Sequence, residues 1–281
     1  MAAMQKDHPG WMHAMVEVGR TVRFFLNAAQ ARSPAPQRHN GFSAWPPPRG
    51  LAGFYQLHVV CRGRVDPITG YFLNISQIDE AVRRHVIPFM EQAAAAAVAG
   101  GVPMGALLRQ TADRLREPLA GSVATLRLDL SPFHSLEIGA GNMNKLIIRQ
   151  QFEFAAAHRL HVDTLSEQEN RRIFGKCNHA AGHGHNYHLV VSVTAPVDAQ
   201  GHVLAVEELD AVVDRTVIEK FDHKNLNLDV PQFRQLNPSV ENIARVVFDE
   251  LCEPVKGLGV QLEEVSVWET QKTVCTYRGE G

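Results

Sequence analysis

The chain has 281 residues, 45% of them apolar and 21% charged, with a net charge of −2. That length fills one large hydrophobic core or two smaller ones, and the composition is ordinary for a globular protein. The near-neutral balance excludes a global field that would draw the chain onto nucleic acid or an anionic membrane, and no apolar run is long enough to span a bilayer.

In chain order, the opening MAAMQKDHPGWMHAMVEVGR has neither a sustained apolar stretch nor a cleavage-site pattern, so no signal peptide is expected. VRFFLNAAQAR (22–32) and the start of YQLHVVCRGRVDPITGYFLNISQIDEAV (55–82) read as strands, the latter leading into a helix. The AAAAAVAG run after Gln92 reads as a helix end meeting the Gly100–Gly101 break. ALLRQTADRL (106–115) is helical, and SVATLRLDLSPFHSLEI (122–138) is a closing hairpin. In the second half, KLIIRQQFEFAAAHRL (145–160) is β-rich, HNYHLVVSVTAPV (185–197) is an alternating, Val-rich strand, and DAQGH (198–202) is a turn. Leu209, Val212, Val213 and Val217 recur at helical spacing within 207–221. A second helix is expected over 237–255, with Ser239 as N-cap and Asn242 where a capping box would place Glu or Gln. Strands at 262–270 and 273–279 close the half. The order of strand, strand, helix, helix, strand, strand is an α+β unit with an antiparallel sheet and helices on one face.

The first half reads as the same unit. Residues 22–32 parallel 149–159, 55–82 parallel 187–213 with a one-residue slip, and 106–115 parallel 242–251, so the expected domains are 1–143 and 144–281. The halves differ where chemistry is concentrated. Gln30–Ala31 stands opposite Ala157–His158, HNGFSAWPPPRGLAGF (39–54) opposite the Cys177–His185 loop, and Glu91–Gln92 opposite Asp222–His223. The four cysteines, Cys61, Cys177, Cys252 and Cys275, fit neither a disulfide framework nor a C-x-x-C ribbon, which points to a reduced, cytoplasmic protein.

FGKCNHAAGHGHNYHLVV (174–191) is the densest stretch. His183 and His185 are two apart, so on a strand both imidazoles share one face, and Gly182 and Gly184 leave room for close approach. His158, at the end of the preceding strand, supplies a third nitrogen if the strands pair. Three histidines with an open fourth position suit a catalytic zinc site, with copper and nickel also compatible. Taken singly, none of these residues is diagnostic. His39, His58, His134, His161, His179, His188 and His202 read as ordinary hydrogen-bonding residues, Cys177 alone as a small buried hydrophobe, and Asp222–His223 alone as a helix C-terminus.

In order along the chain, FEFAAAHRL, FGKCNHAAGHGHNYHLVVSV, FDHKNLNLDVPQF, NPSVENIA and VWETQKTVCTYRG resemble the 6-pyruvoyl-tetrahydropterin synthase family, which includes the 6-carboxy-tetrahydropterin synthases of queuosine biosynthesis. The resemblance covers about residues 146–281 and implies the tunnelling (T) fold, here two tandem units, each a four-stranded antiparallel sheet with two helices on one face. By position, it implies His158, His183 and His185 as Zn²⁺ ligands, Cys177 as catalytic cysteine, Asp222 and His223 as acid–base pair, Glu269 as anchor of the pterin ring and Glu241 as a further pocket residue. The implied enzyme is a lyase acting on 7,8-dihydroneopterin triphosphate. In that chemistry zinc holds the side-chain hydroxyls and acidifies the adjoining C–H, Cys177 removes the proton as a thiolate lowered by zinc, Lys176 or a protonated histidine, and triphosphate leaves.

Two positions depart from the family pattern. Ala205 stands where relatives often carry Asp or Asn, although Asn74 holds the matching place in the first half, and Val240 stands where Thr or Ala is frequent. The spacing of Cys177 from the H-G-H triplet favours the pyruvoyl-forming branch, of tetrahydrobiopterin biosynthesis, over the carboxy-forming one. A non-catalytic pterin-binding scaffold is the reading from another class. The resemblance also implies a homo-oligomer with sites between subunits.

Overall fold

The computed structural model describes residues 15–27, 44–50, 52–96 and 102–279; His39 and Gln30 lie outside these. Contacts divide the chain into two compact units. One ends at Leu146 and also takes Val197–Val203; the other comprises Ile147–Pro196 and the chain from Leu204 onward.

In the first unit β1 (Met15–Leu26), β2 (Gly53–Arg64), β3 (Val123–Asp129) and β4 (His134–Gly139) form a sheet in that order, each pair antiparallel. Between β2 and β3 lie α1 (Ile75–Ala81), a π-turn (Val82–Val86), α2 (Ile87–Ala96) and α3 (Met104–Arg116). Alternation along the strands buries Val22, Phe24, Leu57, Val59, Leu126, Leu128, Leu136 and Ile138, with Ile78, Val82, Leu108 and Leu115 from the helices. The 197–203 turn belongs here because Arg109 on α3 donates to the carbonyls of Met143 (2.7 Å), Asp198 (3.2 Å) and Val197 (3.3 Å). Gly201, at φ +90°, packs so closely that a Cβ would lie 2.4 Å from that of Ala106.

His58 is held at both nitrogens. Thr21 Oγ1 lies 2.7 Å from Nδ1 and Asp129 Oδ2 lies 2.6 Å from Nε2, while Arg127 grips the other carboxylate oxygen at 3.0 Å. Burial alone would raise the Asp129 carboxyl, but His58 and then Arg127 hold it below the usual carboxylate range. His188 meets Gln151, His202 meets Asp198, and His161 meets Asn178 and Arg159. These are satisfied structural histidines; His134 Nδ1, by contrast, is buried without a partner.

The second unit contains β5 (Asn142–His158, whose first residues lie in the first unit), α4 (Glu167–Phe174), a 3-10 turn (Gly175–Asn178), β6 (His183–Pro196), α5 (Val206–Val213), a π-turn (Asp214–Ile218), α6 (Glu219–Phe221), β7 (Lys224–Asn225), α7 (Leu226–Asp229), α8 (Val240–Lys256), β8 (Gln261–Thr270) and β9 (Thr273–Tyr277). The strand order is β5-β6-β8-β9, with the short β7 parallel to β5. Phe154, Tyr187, Leu189, Val191, Val265 and Val267 cover one face of this sheet, and Leu209, Val213, Val217, Ile243, Val247 and Leu251 from the helices complete the core.

The single helix expected over 207–221 is interrupted. The Glu219 N–H reaches Asp214 O, five residues back, as Ile87 N–H reaches Val82 O in the first unit. Two short helices, α4 and α7, add to the two expected. The Ser166–Glu169 capping box that starts α4 is legible in the sequence as S-E-Q-E. At α8, Ser239 Oγ accepts from Asn242 N at 3.4 Å, but the Asn242 side chain donates to Asn237 O at 2.8 Å rather than closing a box.

The structure also explains the Asn74/Ala205 difference. Asn74 caps α1, its Oδ1 accepting from Ser76 N at 3.0 Å. Ala205 has the extended backbone of an N-cap (φ −67°, ψ 135°) and no acceptor to offer. Ala205→Asn is therefore expected to stabilise the protein by about 1 kcal/mol. The check is a higher urea midpoint at unchanged slope; an unchanged midpoint would mean that α5 does not need the cap.

Candidate metal centre

Three adjacent strands build the site by period-two alternation. On β5, Phe154, Ala156 and His158 are buried on one face. On β6, His183 and His185 continue the row that begins with the buried Tyr187, Leu189 and Val191. On β8, Glu269 continues the row of Val265 and Val267, which pair with Val191 and Leu189. The histidines and the glutamate thus extend the face that carries the hydrophobic core. Tyr187 forms the floor, stacked on Phe154 with ring centroids 4.9 Å apart and edge-on to His158 and His185.

One donor atom from each of His158, His183, His185 and Glu269 lies within 4.8 Å of every other. His158 is fully buried, and its Nδ1 lies 2.7 Å from the carbonyl oxygen of Pro238. An acceptor there requires the Nδ1–H form, which turns Nε2 toward the other rings. Nε2 of His158 is 3.1 Å from Nε2 of His183, and Glu269 Oε1 is 3.3 Å from Nε2 of His158 and 3.4 Å from Nε2 of His185. Although Glu269 is near, His185 Nε2 is buried without a hydrogen bond of acceptable geometry. Burial, strongest at both rings, and the neighbouring imidazoles lower the affinity of His158 and His183 for a proton, while Pro238 and Glu269 oppose this without reversing it. Converging imidazole nitrogens, with that of His185 left unpartnered, are the donor set a divalent metal takes.

The other residues singled out by sequence lie outside the four-residue cluster. Cys177 lies on the 3-10 turn after α4, half-buried, its carbonyl accepting from Leu160 N at 2.8 Å. Burial and then the Glu269 carboxylate push its thiol upward, and Lys176 is exposed. Asp222 ends α6 and locks onto β5: its Oδ1 accepts from Ala155 N at 2.7 Å, and its Oδ2 is 2.7 Å from His223 Nδ1. The Ala155 N–H, then His223, holds the Asp222 carboxyl below the usual range. His223 has φ +57°, its N–H reaches Ala155 O, and its ring is 83% exposed, so it faces solvent rather than the histidine cluster. Glu241 is exposed on the first turn of α8, and its charge adds to burial in raising the Cys275 thiol. The Pro238 carbonyl and the Tyr187 floor were not anticipated, because each depends on how distant segments pack.

Comparison with known proteins shows which family the second half of the chain resembles. A family model described as 6-pyruvoyl tetrahydropterin synthase matches residues 147–280. A human 6-pyruvoyl tetrahydrobiopterin synthase is 38% identical over 143 residues, 50% of this chain and 97% of that protein. A provisionally named 6-carboxy-5,6,7,8-tetrahydropterin synthase of Archaeoglobus fulgidus is 36% identical over 84 residues, 30% of this chain and 66% of that protein. The solved structure of Caenorhabditis elegans 6-pyruvoyl tetrahydropterin synthase is 35% identical, covering 48% of this chain and 96% of that one, with a TM-score of 0.46.

The two glycines beside the histidines are not equivalent. Gly182, at φ +70°, would place a Cβ 2.9 Å from His158 O, whereas a Cβ at Gly184 would sit in ordinary contact, 3.5 Å from Ala156 O. Gly182→Ala is expected to cost about 1–2 kcal/mol in backbone strain and to displace His158, weakening metal retention against a chelator. Gly184→Ala should retain metal as the wild type does. Equal retention by both variants would contradict this geometry.

Proposed function

Because the chain belongs to the 6-pyruvoyl tetrahydropterin synthase family of lyases, we propose that it converts 7,8-dihydroneopterin triphosphate to 6-pyruvoyl-tetrahydropterin with loss of triphosphate, at a zinc ion held by His158, His183 and His185. The observation that carries this reading is the convergence of three buried or half-buried histidines and Glu269 within 4.8 Å. The unpartnered Nε2 of His185 supports the fit of the group. When bound, the metal supplies Lewis acidity to the side-chain hydroxyls and positive charge that offsets the Glu269 carboxylate felt by Cys177.

The chain's own residues carry the rest. Glu269 accepts hydrogen bonds from the N–H and amino groups of the pterin, a bidentate, charge-assisted grip that orients the ring. Cys177, as thiolate, takes the proton from the side-chain carbon next to the ring. His223, held through Nδ1 by Asp222, keeps Nε2 free to exchange a proton. Glu241 is assigned to the mouth of the pocket, since α8 starts directly after the Pro238–Ser239 segment that fixes His158.

The exposure of the His223 ring supports a site completed by a second chain, hence a homo-oligomer of tandem T-fold units. Four free cysteines support a cytoplasmic location, and among the described residues no helix is long and apolar enough to cross a membrane. The carboxy-forming reaction is the second reading, favoured by the archaeal match. The match to the human protein is longer and covers nearly all of it, so the pyruvoyl reaction stands first.

Product analysis tests the proposal. Zinc-loaded protein and dihydroneopterin triphosphate should give pyruvoyl-tetrahydropterin and triphosphate by mass spectrometry, with the rate falling about 10²–10⁴-fold in Cys177→Ala. Carboxy-tetrahydropterin with acetaldehyde would replace this reading by the second. Tight binding without turnover would leave a pterin-binding scaffold.

A further inference from the structure

Glu269 stands in two places at once. The proposed function needs its carboxylate free for the pterin ring, but in the substrate-free fold Oε1 lies among the metal donors. A tetrahedral zinc with N and O ligands at about 2.0–2.2 Å has donor–donor edges of about 3.3–3.6 Å. The separations found are 3.1 Å for His158–His183, 3.3 Å for His158–Glu269 and 3.4 Å for His185–Glu269. Glu269 Oε1 thus stands at ligand-edge distance from two of the three histidines, on the side that an open catalytic site would leave to water or substrate.

The alternative is an ordinary ion pair. His158 Nδ1 faces the Pro238 carbonyl and must carry a hydrogen, so a neutral ring turns the Nε2 lone pair toward Glu269 Oε1. Two acceptors at that distance in a buried setting repel unless a cation lies between them. The converging third and fourth donors fit a metal better than one shared proton, because His185 Nε2 also faces the same oxygen.

We propose that Glu269 is the fourth ligand of the resting metal and is released from it when the pterin binds. The ring's N–H groups then take the carboxylate while the substrate's hydroxyls take its coordination position. The metal stays closed, as in a structural site, until the right substrate offers both the donors and the acceptors needed for the exchange. This rests on the proposed function for the identity of the ring and goes beyond it in giving Glu269 a second partner.

The test uses full-length protein loaded with Co²⁺, whose visible spectrum reports ligand number and type, and 7,8-dihydroneopterin, which has the ring and hydroxyls but no leaving group. Glu269→Gln and Glu269→Ala should shift the resting spectrum and weaken retention against a chelator at least roughly tenfold. Dihydroneopterin should shift the wild-type spectrum away from its resting form. Resting spectra and retention that superimpose on wild type in both variants would overturn the proposal and leave Glu269 as a ring anchor alone. Cobalt loading that survives His183→Ala would overturn the metal site itself, and with it the proposed function.

Discussion

One hydrogen bond organises the site: the buried Nδ1 of His158 against the Pro238 carbonyl. It ties the end of β5 to the segment entering α8 and aims Nε2 at the place where β6 and β8 deliver their side chains. The remaining geometry follows from alternation. Because Tyr187, His185 and His183 share a row, as do Val267 and Glu269, the core ends in a floor of aromatic rings on which polar donors stand. Burial lowers the proton affinity of His158 and His183, which prepares them for a metal cation.

The second constraint is the docking of Asp222–His223 on β5. Helix α6 stops at Asp222, the chain enters left-handed backbone at His223, and β7 then runs parallel to β5 beside Ala156 and Ala157. Asp222 uses one oxygen to hold the strand and the other to hold the imidazole, so fold and proposed proton exchange share one carboxylate. That economy explains why the pair is pinned so firmly although the ring itself is exposed.

The legible part of the sequence was the part governed by local period. H-G-H on a Val-rich strand implied two imidazoles on one face, and "FEFAAAH" implied a strand ending in a third. The order of strands and helices in both halves was likewise readable, down to Ser239 as the cap of α8. What stayed hidden depends on register and packing. Glu269 reaches the histidines because of the β6–β8 pairing, which no local pattern encodes. Burial and Glu269 push the Cys177 thiol upward, and Lys176 beside it in sequence is exposed, which follows from packing rather than from local pattern. Gly182 and Gly184 look alike in sequence and differ in φ and clearance. Asn74 and Ala205 looked like a chemical difference between halves and are a difference in helix capping.

The most direct test of a metal centre on this sheet face is a crystallographic anomalous difference map collected at the zinc edge from the purified full-length protein. The account predicts one peak per chain, about 2.0–2.1 Å from Nε2 of His158, His183 and His185. A zinc-containing crystal whose peak lies away from these three nitrogens would contradict it.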